Sequence, residues 1–124
     1  MRFTANVKAV ALARHQVERT LIAWQLSTPD IERAVLVTSE LATNAVQHGR
    51  VPDRLFEVRL TVEPNGGLLL EVSDASSRVP EHVHAAPEDE SGRGLALVAA
   101  LADEFGHRPR EYVGKTVWAK FRLA

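Results

Sequence analysis

Between Val7 and Trp24 the apolar residues Val10, Ala13, Val17, Leu21 and Trp24 recur at spacings of three and four, the period of an amphipathic helix with one buried stripe. The helix is expected to end near Leu26. Ser27-Thr28-Pro29-Asp30 then offers a polar N-cap, a proline at the first helical position and an acid in the first turn, which start a second helix. This one runs to His48, where Gly49 is placed to close it in the left-handed conformation. From Leu55 to Val62 the pattern changes to strict alternation, with Phe56, Val58, Leu60 and Val62 on one side and Glu57, Arg59 and Thr61 on the other. That is a half-buried strand. A Pro64-Asn65-Gly66-Gly67 turn joins it to a second strand, Leu68 to Ser73, and the pair reads as an antiparallel hairpin.

Ala75 to Ser91 has two prolines, two histidines and four acids without an apolar period, and is expected to be a long loop of the kind that serves as a lid. After Gly92-Arg93-Gly94 a third helix is expected from Leu95 to Phe105, stopping at Gly106. The remaining pattern is another hairpin: Glu111-Tyr112-Val113, a turn at Gly114-Lys115, and a strand from Thr116 to Leu123 with Val117, Ala119, Phe121 and Leu123 on one face. A short strand at Arg2 to Ala5 completes the order. One apolar and one polar sheet face predict an α+β, two-layer sandwich, with the helices on one face of a mixed, mostly antiparallel sheet.

The 124 residues suffice for one domain, and 45% hydrophobic with 25% charged residues is an ordinary globular composition. Fifteen Lys and Arg against sixteen Asp and Glu, with no basic block, argue against direct nucleic-acid binding and against grip on an anionic membrane. A helix-turn-helix reading of the first two helices is disfavoured on the same ground. The absence of cysteine removes disulfides, thiolate nucleophiles and Cys-ligated zinc. The longest stretch free of Asp, Glu, Lys and Arg is the ten residues Thr20 to Pro29, short of the ~20 a membrane span needs. The start of the chain has no secretory pattern, so a cytoplasmic location is expected.

Against this background the second helix stands out. Ala34 to Val46 carries a single charge, Glu40, and a carboxylate on so apolar a helix is expected to be partly desolvated. Asn44 and His48 follow at one-turn intervals on the same face. Such a line fits a functional stripe and an ordinary solvent-facing one equally well. Gly92-Arg93-Gly94-Leu95 opens a helix whose first turn presents unpaired N–H groups, a place for a phosphate, though Gly-x-Gly also serves as plain punctuation. Asp74 ends the second hairpin strand; aspartate also commonly begins a turn. Gly114-Lys115-Thr116 is not a P-loop, since Pro109 stands where the earlier glycine should be. His82 and His84 near Glu81, Glu88 and Asp89 are read as solvated loop residues.

Taken together, the run from Glu40 to Gly49, then Val72-Ser73-Asp74, Gly92-Arg93-Gly94-Leu95 and Gly114-Lys115-Thr116 resemble the ordered motifs of the GHKL (Bergerat-fold) ATP-binding domains. The branch they resemble is that of the histidine-kinase-like ATPase domains of anti-sigma factors, which act as serine-protein kinases. The resemblance implies ATP and Mg²⁺ as cofactors, Glu40 as the catalytic base and Asn44 as the metal ligand. It further implies a nucleotide-binding set of Asn44, His48, Asp74, Ser76, Gly92, Arg93, Gly94, Leu95 and Thr116, with Asp74 reading the adenine amino group and the Thr116 hydroxyl near the adenine. Ala75 to Ser91 would be the ATP lid. The chain departs from the family after Asp74, where Ala75-Ser76-Ser77-Arg78 has no glycine in place of Asp-x-Gly-x-Gly. The implied function is phosphorylation of a partner on Ser or Thr, the partner being an anti-anti-sigma factor, a sigma factor or both. A homodimer is compatible with it. The alternative is a non-catalytic module that sequesters such a partner, with ATP absent or structural.

Overall fold

The computed structural model describes residues 1–48, 55–75, 90–110 and 114–124. Its elements are β1 (Arg2–Thr4), α1 (Val7–Ala23), α2 (Thr28–His48), β2 (Leu55–Val62), β3 (Leu68–Asp74), α3 (Glu90–Leu101), β4 (Glu104–Pro109) and β5 (Lys115–Phe121). The strands form one sheet in the order β1-β2-β3-β5-β4. Every pairing is antiparallel, so among the described residues the sheet is not mixed. The three helices among the described residues pack against one sheet face, as the alternation in β2 required. No helix among the described residues is long and apolar enough to cross a membrane.

Local chemistry accounts for the helix ends. Asn6 caps α1, its side-chain oxygen accepting from the Ala9 amide at 3.0 Å. Trp24 is the C-cap and Gln25 takes φ 62°, which turns the chain into α2. Ser27 caps α2, its hydroxyl accepting from the Asp30 amide at 3.3 Å. The buried stripe of α1 is Ala9, Ala13, Val17 and Leu21. Trp24, expected to extend that stripe, is 42% exposed, because the helical phase ends at it. The core between helices and sheet contains Leu21, Val37, Leu41, Phe56, Val58, Leu68, Leu70, Val72 and Val98, and each large side chain so buried contributes on the order of 1.5–3 kcal/mol.

The third helix and last hairpin differ from expectation. The helix covers Glu90–Leu101, earlier at both ends than Leu95 to Phe105, so Gly92, Arg93 and Gly94 lie in its first turns. Phe105 and Gly106 belong to β4, pairing with Ala119 and Trp118. A Cβ at Gly106 would stand 2.7 Å from the Trp118 indole, so this glycine admits a ring on the sheet rather than ending a helix. The hairpin turn falls after Pro109, with the Arg110 amide donating to the Gly114 carbonyl at 3.0 Å. The strand expected at Glu111 to Val113 lies outside the described residues.

One side-chain cluster shows which ends of the elements meet. Arg33 in the first turns of α2 bonds Asp30 (2.9 Å), the Leu101 carbonyl at the end of α3 (3.2 Å) and the Arg122 carbonyl just past β5 (2.8 Å). Asp30 also accepts from the Ala124 amide at 2.9 Å, and the Arg33 guanidinium lies over the Phe121 ring. The start of α2, the end of α3 and the end of β5 therefore share one edge of the molecule. The end of α2, the start of α3, the end of β3 and the start of β5 share the opposite edge. These are the segments that bear the candidate residues.

Candidate functional site

In the second half of α2 the two threonine hydroxyls are satisfied by the helix itself: Thr38 and Thr43 each donate to the carbonyl four residues back, at 2.7 Å. Asn44 differs. It is buried, and its Nδ2 is the one buried side-chain polar atom without a hydrogen-bond partner among the described residues. A buried, unserved amide costs about 1–3 kcal/mol, and a half-turn of the amide presents Oδ1 at the same place. Glu40, one turn earlier, is half-buried. His48 is the last residue of α2. This end of the helix offers a carboxylate and a side-chain amide at one-turn spacing beside the sheet.

The sheet brings up a buried ion pair. Asp74 ends β3, Lys115 begins β5, and the two are direct cross-strand partners. Lys115 Nζ bonds Asp74 Oδ1 at 3.2 Å and Oδ2 at 3.0 Å, and the side chains are only 6% and 3% exposed. Their face is the inner one, shared with Val72, Val117 and Ala119. Gly114 makes the approach possible: it has φ +93°, and a Cβ there would stand 1.9 Å from the Asp74 carbonyl oxygen.

Thr116 lies on the opposite sheet face from Asp74 and Lys115. Strand alternation turns it to the outer face, where it pairs across from Ser73 and Arg108 and its hydroxyl shares a 2.7 Å hydrogen bond with Ser73 Oγ. Thr116 is therefore not brought beside Asp74; Lys115 is. Lys115 was not among the residues expected at the site. The signal was present, because Lys115 has the same parity as Val117, Ala119 and Phe121.

Gly92, Arg93 and Gly94 sit in the first turns of α3, where the leading backbone N–H groups have no helical acceptor. Leu95 is buried against the core. Ser76, His82, His84 and nearly all of the expected lid lie outside the described residues. The residues present fit a nucleotide with Mg²⁺ on one structural ground, the buried Asn44 amide nitrogen that no described residue serves.

Comparison with known proteins adds independent information. A family model described as histidine kinase-like ATPase domain matches residues 3–121. The RsbU and RsbW domains of Rv1364c from Mycobacterium tuberculosis share the fold, with a TM-score of 0.70 at 24% identity over 99% of this chain and 32% of that one. The histidine kinase domain of the blue-light activated histidine kinase from Erythrobacter litoralis EL346 has a TM-score of 0.58 at 25% identity, over 77% of this chain and 45% of that one. An uncharacterized protein of Streptomyces coelicolor is 47% identical over 55 residues, 43% of this chain and 52% of that protein. The aligned segment thus spans about half the length of that curated relative.

Proposed function

Because the chain belongs to the histidine kinase-like ATPase domain family, we propose that it binds ATP with Mg²⁺ at the Asn44 edge of the sheet and phosphorylates a Ser or Thr of a protein partner, in the manner of an anti-sigma factor kinase. The observation that carries this reading is the buried Asn44 amide nitrogen, which has no hydrogen-bond partner among the described residues. Asn44 would hold the metal through Oδ1, a hard oxygen ligand of the kind Mg²⁺ takes. Asp74 would accept from the adenine amino group, and the first turn of α3 would receive the phosphates on its N–H groups. Bound Mg²⁺-ATP supplies the transferable phosphoryl group. Glu40 would accept the proton of the attacking hydroxyl on its carboxylate, a role that suits a half-buried acid. Its position one turn before Asn44 puts base and metal ligand on one rigid helix.

Calorimetric titration with ATP, with and without Mg²⁺, tests the binding half. Asp74→Asn should weaken ATP affinity by roughly tenfold to a hundredfold, since an amide can turn its own donor toward the base amino group. Equal affinity in the variant would remove Asp74 from the site. For the transfer half, Glu40→Gln should keep nucleotide and partner binding while lowering phosphoryl transfer by on the order of 10²-fold or more. A wild-type protein that binds Mg²⁺-ATP and its partner yet transfers nothing is a sequestering module. The missing glycines after Asp74 favour that second reading.

A further inference from the structure

The inner-face ion pair has a chemistry that a lone carboxylate lacks. An ionised aspartate only accepts hydrogen bonds, so by itself it complements a donor on the base edge and opposes a keto oxygen. Lys115 Nζ stands 3.0 and 3.2 Å from the two Asp74 oxygens and has no other partner among the described residues. An ammonium has three donors. Two directed at the carboxylate leave one for a ligand, and burial of both side chains keeps water from taking it cheaply.

We propose that Lys115 reads the purine base together with Asp74, so that the site takes 6-oxopurine nucleotides as well as adenine nucleotides. The inference rests on the reading above that Asp74 faces the base. Adenine offers a donor at C6 and an acceptor at N1; a 6-oxopurine offers an acceptor at C6 and a donor at N1. The adjacent carboxylate and ammonium present an acceptor and a donor side by side, and either base edge finds its complement by exchanging which group faces C6. A site reading C6 through a carboxylate alone leaves an unpaired buried group with the wrong base, a mismatch that supports discrimination of about 10⁴-fold. With Lys115 present neither group need be left unpaired. Lys115 is held for this role by the strand register, which sets it directly across from Asp74, and by Gly114, whose missing Cβ lets the two strand ends close.

The test is titration of the full chain with ATP, ITP and GTP, ITP separating the chemistry at C6 from the bulk of the guanine 2-amino group. Wild type should bind ITP within about tenfold of ATP. Lys115→Met should lose at least tenfold in ITP affinity relative to ATP, and Lys115→Gln, which keeps a donor, should fall between. A thermal melt of each variant establishes that it is folded, and if Lys115→Met is not, the wild-type ratio decides alone. A wild-type preference for ATP over ITP above about a hundredfold overturns the proposal, as does an unchanged ratio in Lys115→Met. If ATP, ITP and GTP all fail to bind, the nucleotide reading itself has failed. If ATP alone binds, only the role of Lys115 has.

Discussion

Gly114→Ala separates a backbone contact that the site needs from ordinary glycine strain. Among the described residues two glycines have positive φ, Gly66 at +86° and Gly114 at +93°. At Gly66 an added Cβ meets nothing within 4 Å, whereas at Gly114 it would lie 1.9 Å from the Asp74 carbonyl oxygen and 3.0 Å from Ala75 Cα. Alanine at either position incurs the left-handed penalty of about 1–2 kcal/mol. At Gly114 the atoms in the way are main chain and belong to the strand pairing with β5, so relief requires β3 and β5 to part. Overpacking of this kind adds about 1–3 kcal/mol. The expected loss is about 1–2 kcal/mol for Gly66→Ala and about 2–5 kcal/mol for Gly114→Ala, a difference of several degrees in Tm for a domain of this size. Urea denaturation of both variants measures it, and nucleotide titration of Gly114→Ala should show weakened binding because Asp74 and Lys115 are displaced together. Equal stabilities of the two alanine variants would refute the close approach and with it the placement of Lys115.

Asn44→Ala should be no less stable than wild type in the same assay, because it removes an unserved buried amide, yet its nucleotide affinity should no longer respond to Mg²⁺; a Mg²⁺ response like that of wild type removes Asn44 as the metal ligand. Burial pushes the Asp30 carboxyl up, but hydrogen bonds from the Ala124 amide, Arg33 and Ser27, with the Arg33 charge, outweigh it and hold its pKa below the ordinary 3.8. The stability this contributes is fully present above pH 3.8 and is lost as pH falls through the lowered folded value. Asp30→Ala should therefore cost about 1–3 kcal/mol near neutrality and much less in acid; a cost that does not shrink on acidification shows that the carboxylate charge is not what holds the chain end to α2.

The parts of the fold that were legible are those where period and punctuation agree. The Asn65-Gly66 turn and clean alternation marked the β2–β3 hairpin, and Ser27-Thr28-Pro29-Asp30 marked the start of α2. The stretch after Arg93 was misjudged for a physical reason. Leu95 to Phe105 is apolar almost all round, so a change from helical to strand period within it leaves little trace, and a glycine after it looks like a helix stop. What ends α3 is long-range: the Asp103 amide donates to the Lys120 carbonyl at 2.9 Å and the Arg122 amide to the Asp103 carboxylate at 2.6 Å. Those partners lie seventeen and nineteen residues on, beyond any local pattern.

At the candidate site, the helix-borne residues stood out in the sequence, whereas the cross-strand partner of Asp74 did not. Glu40 and Asn44 stood out because polar groups are rare on so apolar a helix. Asp74 was singled out as a lone acid, without its cation. Thr116 was singled out from a tripeptide motif rather than from strand parity: Val117, Ala119 and Phe121 are buried, and counting back by two reaches Lys115. A lysine on the apolar face of a strand needs an explanation that packing does not supply. Replacing a buried ion pair by apolar groups of similar volume is often neutral or stabilising, so the core alone gives no reason to keep Asp74 and Lys115 charged at the mouth of the sheet. A ligand meeting them there would account for the charges, and the buried Asn44 Nδ2, without a hydrogen-bond partner among the described residues, is a second observation in favour of that reading.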